Sequence, residues 1–277
     1  MFVVLRMITP EKNFIKRYKQ RKSIEKSSLT QCKTNDGLPF FTLDVTDKKQ
    51  NTNWESVAKK CGAYSSRIVA PRSCHIPDNC GLKRFVPSVM SSVLVFNTAL
   101  DAIEKSGISS NNLCITLTDR NAVHFSRVCR LLPFAPSVRI ITSHPERYAE
   151  PCIKAYEDFG ASLIIRSRYE PVSKPEIIIC GDGAVTPSMK NAIVFSSKKK
   201  SSDGLVIYGN STALTKNHLD AIGSGINSVD FAGAVTELCG SSEYRNSVFE
   251  STASNCFECD SESAAKCLMC RFNINNT

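Results

Sequence analysis

Apolar residues in the middle of the chain form short continuous runs, and these runs alternate with segments in which apolar residues recur at helical spacing. The runs at 113–118 and 176–180 are typical of strands that are buried on both faces of a parallel sheet. By the same pattern we predict further strands at 137–142, 161–165, 192–196 and 204–208.

Helices are predicted between strands 113–118 and 137–142 and between strands 137–142 and 161–165. The first would follow strand 113–118, capped by Thr118 or Asp119, and would place these residues on its core side: Ala122, Phe125, Val128, Cys129 and Leu132. The second would end at Gly160, and its apolar residues at helical spacing are Tyr148, Cys152, Ala155, Tyr156 and Phe159. Alternating strands and helices of this kind predict an α/β fold with right-handed crossovers.

The flanking segments carry similar but less regular patterns. We predict strands at 1–8, 38–45 and 67–70 and helices at 54–61, 88–105, 215–222 and 228–239. Gly62 and Gly107 follow two of these helices at positions typical of C-terminal caps.

The order of elements from Leu113 to about Tyr208 resembles the Rossmann-like dinucleotide-binding domain of dehydrogenases. The resemblance includes the Phe159-Gly-Ala161 turn into the third strand and a fourth strand, Ile177-Ile-Ile-Cys-Gly181, that ends in a loop. It implies a three-layer wound parallel sheet with a smaller N-terminal α/β segment. On this basis we divide the chain into a basic arm (1–35), a small α/β segment (36–110), a Rossmann-like domain (111–250) and a cysteine-rich tail (251–277).

The first strand-to-helix turn departs from that family. The family places G-x-G-x-x-G there so that the backbone can approach a pyrophosphate, whereas this chain has Thr118-Asp-Arg-Asn-Ala122, without glycine. The Cβ atoms would obstruct the approach, and the Asp119 carboxylate would face the phosphates. We therefore expect NAD to bind no better than at millimolar concentration.

The second strand ends in Thr142-Ser-His-Pro-Glu-Arg147, without an acidic residue for a ribose 2′-hydroxyl. Ser143, His144 and Arg147 would suit a 2′-phosphate, which favours NADP over NAD. The alternative is a polar turn with Pro145 in a first helical turn. The residues proposed to bind such a cofactor are Thr118, Asp119, Arg120, Ser143, His144, Arg147 and Asp182.

Asp182 follows the fourth strand in a Gly-Asp-Gly sequence. In the usual strand order the first and fourth strands are neighbours, so Asp119 and Asp182 would both border the ligand crevice. Two carboxylates there would suit Mg²⁺ holding a phosphorylated small molecule. In the structural alternative, Asp119 caps a helix and Asp182 lies in a turn.

Composition and charge narrow the class of protein. Of the 277 residues, 42% are hydrophobic and 22% are charged, as expected for a packed domain, and no apolar run approaches the roughly 20 residues of a membrane span. Thirteen cysteines without a secretion signal indicate a reducing compartment, and we expect the protein in the cytoplasm.

The net charge of +9 is concentrated in residues 1–33, where nine Lys or Arg face only Glu11 and Glu25. Such an arm would bind a polyanion, that is, nucleic acid or an anionic surface. The alternative, which we favour, is a solvated and partly frayed terminus.

The C-terminal tail contains two C-x₂-C pairs: Cys256 with Cys259, and Cys267 with Cys270. Four thiolates complete a tetrahedral zinc site. The gap between the pairs is, however, shorter than the 15 to 20 residues typical of such sites. One continuous helix would instead place all four cysteines on a single face as small hydrophobic side chains.

No catalytic residue can be assigned from the sequence, because the four histidines are scattered and no Ser-His or Cys-His pair stands out from its spacing. We therefore expect a binding or structural role. The alternatives are an NADP-dependent oxidoreductase and a zinc-stabilised module whose basic arm contacts nucleic acid.

Overall fold

The computed structural model describes residues 1–46, 52–108, 113–172, 174–181, 192–198, 205–223, 225–250, 252–254, 258–259 and 261–273. The chain divides into two compact units. The first unit contains Met1–Met90 and Leu214–Arg245, and the second contains Ser91–Ala213 and Asn246–Thr277. None of the helices in the described part of the chain is both long and apolar enough to cross a membrane.

The first unit is built on a small mixed sheet. Its strands are β1 (Val3–Ile8), β2 (Thr30–Lys33), β3 (Pro39–Thr46) and β4 (Ile68–Val69), arranged in the order β2-β3-β1-β4. β1 runs parallel to β3 and β4, whereas β2 is antiparallel to β3. The helices of this unit are α1 (Phe14–Lys26), α2 (Trp54–Cys61), α5 (Lys216–Ile222) and α6 (Ser228–Cys239).

Residues 1–33, which carry most of the net positive charge, contain both a buried strand and an exposed helix. Residues 3–8 form the inner strand β1, because Val3, Val4 and Leu5 are fully buried in the core of the first unit. Six of the nine basic residues lie instead on α1, whose aromatic residues Phe14 and Tyr18 are 80% and 61% exposed. Frayed structure would therefore have to be confined to residues outside β1, α1 and β2.

The second unit contains the parallel sheet that the apolar runs predict. The strands are β5 (Cys114–Thr118), β6 (Ser137–Ile141), β7 (Ser162–Arg166), β8 (Glu176–Cys180), β9 (Ala192–Ser196) and β10 (Leu205–Tyr208). They are all parallel, and their order is β7-β6-β5-β8-β9-β10. This is the 3-2-1-4-5-6 order of Rossmann-like folds, so the predicted fold class is confirmed.

Two short strands extend this sheet beyond β10. They are β11 (Thr252–Ser254) and β12 (Glu258–Cys259), and both pair antiparallel. The α-helices of the second unit are α4 (Ala149–Phe159), α7 (Ser261–Asn273) and most of α3 (Met90–Ser106). α4 ends as predicted at Gly160, which adopts the left-handed conformation with φ of 58°.

The prediction of an α-helix between β5 and β6 is wrong. The chain instead makes turns up to Arg127, followed by a 3₁₀ segment, Val128–Phe134, that contains Pro133. Ala122 has φ of 51°, a left-handed conformation that interrupts any helix started at Asp119. Helical apolar spacing was present in this segment, but the backbone follows a path set by the contacts of Asp119.

Candidate functional site

The strand order reverses between β5 and β8, and the carboxyl ends of these two strands border the ligand crevice of Rossmann-like sheets. Asp119 follows β5 there and is only 3% exposed. Its carboxylate accepts hydrogen bonds from the backbone N–H of Val123 at 2.8 Å and from that of His124 at 2.7 Å. The Tyr148 hydroxyl donates a third, at 2.6 Å.

These three donors point at one anionic group. In dinucleotide-binding domains the amides of this turn bind the pyrophosphate. Here they bind a carboxylate that belongs to the same turn. Burial raises the pKa of the Tyr148 hydroxyl, and the adjacent Asp119 carboxylate raises it further, so Tyr148 remains a hydrogen-bond donor.

A serine and a histidine, distant in sequence, meet beside this turn. Ser92 Oγ on α3 lies 2.7 Å from His124 Nε2, and the imidazole stacks on Phe96 with ring centroids 4.6 Å apart. Ser92 also packs on Gly181 at the end of β8: a Cβ atom built on that glycine would lie 1.9 Å from Ser92 Oγ. Glycine is therefore required at position 181, because any side chain would displace Ser92.

This pair lacks two properties of a nucleophile and its base. Burial lowers the pKa of His124 to about 4, so its imidazole is neutral near pH 7 and a weak base. Among the described residues its buried Nδ1 has no hydrogen-bond partner, so none of their carboxylates orients the ring. Ser92 is only 6% exposed. The geometry indicates that the pair helps to fill the crevice.

Four of the other cofactor-binding candidates lie on the outside of the same edge. Thr118 is buried within β5, whereas Arg120, Ser143, His144 and Arg147 are exposed. The Arg120 carbonyl accepts the backbone N–H of Ser143 at 3.2 Å, which joins the turn after β5 to the turn after β6.

The side chains of this exposed edge have partners of their own. His144 Nδ1 lies 3.2 Å from a Glu146 carboxylate oxygen, and the Arg147 guanidinium lies over the Phe125 ring, 5.6 Å from its centroid. All four side chains nevertheless remain open to solvent. Asp182 falls outside the described residues. Of the two carboxylates predicted to hold Mg²⁺, the structure therefore describes only Asp119.

A second buried polar cluster lies at the amino end of β8, and no pattern in the sequence indicates it. Glu176 is 2% exposed, and its carboxylate accepts hydrogen bonds from the Thr116 hydroxyl, the Arg139 guanidinium and, at 2.8 Å, the Tyr169 hydroxyl. Arg139 Nε also donates to Thr116 Oγ1 at 3.0 Å. Every side chain in this cluster has a partner inside the unit, so the cluster stabilises the sheet.

The cysteine tail is not one continuous helix, so that interpretation of its spacing is wrong. Cys259 lies in strand β12, and α7 begins at Ser261. On α7, Cys267 is half-buried and Cys270 is exposed. Cys256 lies outside the described residues, and within the described part of the chain no three His, Cys, Asp or Glu side chains are grouped so that they could hold a metal ion.

Comparison with known proteins adds little to this geometry. No protein-family model and no curated protein matches the chain. Among solved structures it is similar to L-tryptophan dehydrogenase from Nostoc punctiforme, at 10% identity and a TM-score of 0.34 over 99% of this chain and 89% of that one. The fold assignment therefore rests on the observed strand order.

Proposed function

We propose that this protein has a binding role, and that its Rossmann-like unit holds a small anionic ligand without accepting a dinucleotide pyrophosphate. The observation that supports this most strongly is the buried Asp119 carboxylate, which already uses two backbone amides and the Tyr148 hydroxyl. A pyrophosphate at this turn would have to displace a carboxylate from its hydrogen bonds, and would be repelled by it if both remained.

The ligand would bind at the exposed edge formed by the turns after β5 and β6. Arg120 and Arg147 supply two positive charges there, and Ser143 and His144 supply a hydroxyl and an imidazole. Arginine forks match the geometry of phosphate and carboxylate oxygens. In a dinucleotide-binding domain, the end of the second strand contacts the adenosine ribose, and this edge lies at the same place. The proposed ligand class is therefore a ribose, or a group of similar size, that carries a single phosphate.

An NADP-dependent oxidoreductase is the second candidate, and the same exposed edge favours it. NADP carries a 2′-phosphate that Ser143, His144 and Arg147 would meet, while the remainder of the cofactor would have to pass Asp119. The two candidates differ in what the pyrophosphate and nicotinamide add to the affinity. A monophosphate ligand gains nothing from them, whereas an NADP enzyme depends on them.

Titration calorimetry separates these candidates. The probes are adenosine 2′-monophosphate, adenosine, NAD and NADP. We expect the 2′-monophosphate and NADP to bind within tenfold of each other, adenosine and NAD to bind no better than at millimolar concentration, and Arg147→Ala to weaken the first two at least tenfold. Arg130→Ala is the matched control, since Arg130 is exposed in the same unit but does not belong to these two turns.

Two results would contradict the monophosphate proposal. NADP binding a hundredfold tighter than the 2′-monophosphate would favour the oxidoreductase. Failure of both to bind would remove the anion site altogether.

The tail cysteines remain proposed zinc ligands. If Cys256, Cys259, Cys267 and Cys270 bind zinc, protein prepared without chelator will contain one zinc per chain by elemental analysis, because a structural site retains its metal through purification. Cys270→Ser should release the metal, while Cys239→Ser, in helix α6 of the other unit, should retain it. Metal-free protein would contradict the zinc site.

A further inference from the structure

Strand β7 is an open edge of the second unit's sheet. It pairs with β6 on one side, and no other strand of the described residues pairs with it. The Ser162 N–H and the Arg166 carbonyl face β6, where they bond to the Pro136 carbonyl and the Thr142 N–H. Because successive residues of a strand point their backbone groups to opposite sides, those of Leu163 and Ile165 face outward.

Helix α4 leaves large apolar side chains exposed beside that edge. Ile153 is 59% exposed and Tyr156 is 77% exposed. Cys152 Sγ lies 4.0 Å from the outward-facing Leu163 carbonyl, which places this turn of α4 next to the edge of β7. An unpaired strand edge flanked by exposed apolar side chains is the surface that a further strand would cover.

The sequence of β7 is complementary to itself. When two copies of Ser162–Arg166 run antiparallel about Ile164, Leu163 of one copy faces Ile165 of the other, and their outward backbone groups form about four hydrogen bonds. Ile164 faces its own counterpart, and Ser162 faces Arg166. The Ile165 carbonyl, which now accepts the Arg166 guanidinium at 3.2 Å, would exchange that bond for a backbone donor.

Charge supports the same arrangement. The exposed acids Glu157 and Asp158 lie in the last turn of α4, just before the start of β7. In the antiparallel pairing, the end of the other copy's β7, with exposed Arg166 and Arg168, arrives at that position. The pairing would therefore bring residues of opposite charge near each other at both of its ends.

We infer that two copies of this chain associate about a twofold axis at Ile164, joining their β7 strands into one continuous sheet and covering the apolar side chains of α4. The proposal does not depend on the ligand or on the function of the crevice. It specifies a second copy of this chain as the partner, because the strand register, the apolar stripe and the charges are all self-complementary.

Light scattering coupled to size-exclusion chromatography tests the association. Wild-type protein should have the mass of two chains at tens of micromolar concentration. The double variant Ile153→Asp/Tyr156→Asp should have the mass of one chain, with an unchanged circular dichroism spectrum because both side chains are exposed. Leu219→Asp is the matched control, since Leu219 is 52% exposed on α5 of the other unit, and this variant should remain dimeric.

Cross-linking tests the register. Facing residues of a non-hydrogen-bonded antiparallel pair have Cα atoms about 4.5 Å apart, within the range of a disulfide. Under mild oxidation, Ile164→Cys should therefore give covalent dimers that reducing agent separates. Ser162→Cys should not, because its counterpart would lie roughly 13 Å away, four residues along the strand. A monomeric wild-type protein, or equal cross-linking of the two cysteine variants, would overturn the proposal.

Discussion

Replacing Asp119 by asparagine should lower the free energy of unfolding by about 3 kcal/mol, because a charged acceptor of three hydrogen bonds becomes an amide with only one oxygen. The amide NH₂ would face either the Val123 N–H or the pair of donors from His124 and Tyr148. At least one of the three donors then loses its acceptor. Urea denaturation monitored by circular dichroism measures the change.

Two further variants show whether this loss comes from the site. Tyr148→Phe should cost about 1 kcal/mol in the wild type and less in Asp119→Asn, because the hydroxyl has then already lost its charged acceptor. Asp101→Asn is the matched control. Asp101 is part of a half-exposed ion pair with Lys105 on α3, and its replacement should cost less than about 0.5 kcal/mol. Equal losses for Asp119→Asn and Asp101→Asn would contradict the proposed role of Asp119.

The second large effect is expected at Glu176. Glu176→Ala should destabilise the protein by about 3–5 kcal/mol, because the mostly buried Arg139 guanidinium would lose its carboxylate. The Thr116 and Tyr169 hydroxyls would lose the same acceptor. Urea denaturation again measures the loss.

The paired variant Arg139→Met/Glu176→Leu should recover most of this stability, since it leaves no uncompensated charge inside the unit. Glu146→Ala is the control, because Glu146 is an exposed partner of His144 and should contribute little. A paired variant as unstable as Glu176→Ala would show that the loss does not come from an unpaired charge.

Most of the fold could be predicted from the sequence because the burial of a strand or helix determines the spacing of its apolar residues. Strands such as β5 and β8 are buried on both faces and are therefore continuous apolar runs. Helix α4 ends at Gly160 because that residue can adopt the left-handed conformation at no steric cost. Local chemistry of this kind is visible within a few residues of the chain.

The turn after β5 could not be predicted for a physical reason. Apolar residues from Ala122 to Leu132 have helical spacing, but the Asp119 carboxylate binds amides four and five residues later, and Ala122 adopts a left-handed conformation. The Asp119 side chain competes with backbone carbonyls for these N–H groups, and this competition does not change the spacing of the apolar residues. The sequence pattern therefore gives no sign of it.

The candidate site was only partly visible in the sequence. The missing glycines drew attention to Asp119, which is buried in this turn, and the polar residues after β6 lie at the same edge of the sheet. The Ser92–His124 contact and the Glu176–Arg139 pair join residues that are far apart along the chain. Such pairs exist only once the strand order is known, since neither partner carries a spacing signal.

Titration of NAD into the wild-type protein by calorimetry tests the central claim most directly. The account predicts no saturable binding below millimolar concentration, because the Asp119 carboxylate already uses the amides that would bind the pyrophosphate. Saturable binding of NAD at micromolar concentration would contradict it, since the pyrophosphate would then share or take over a position that the structure gives to Asp119.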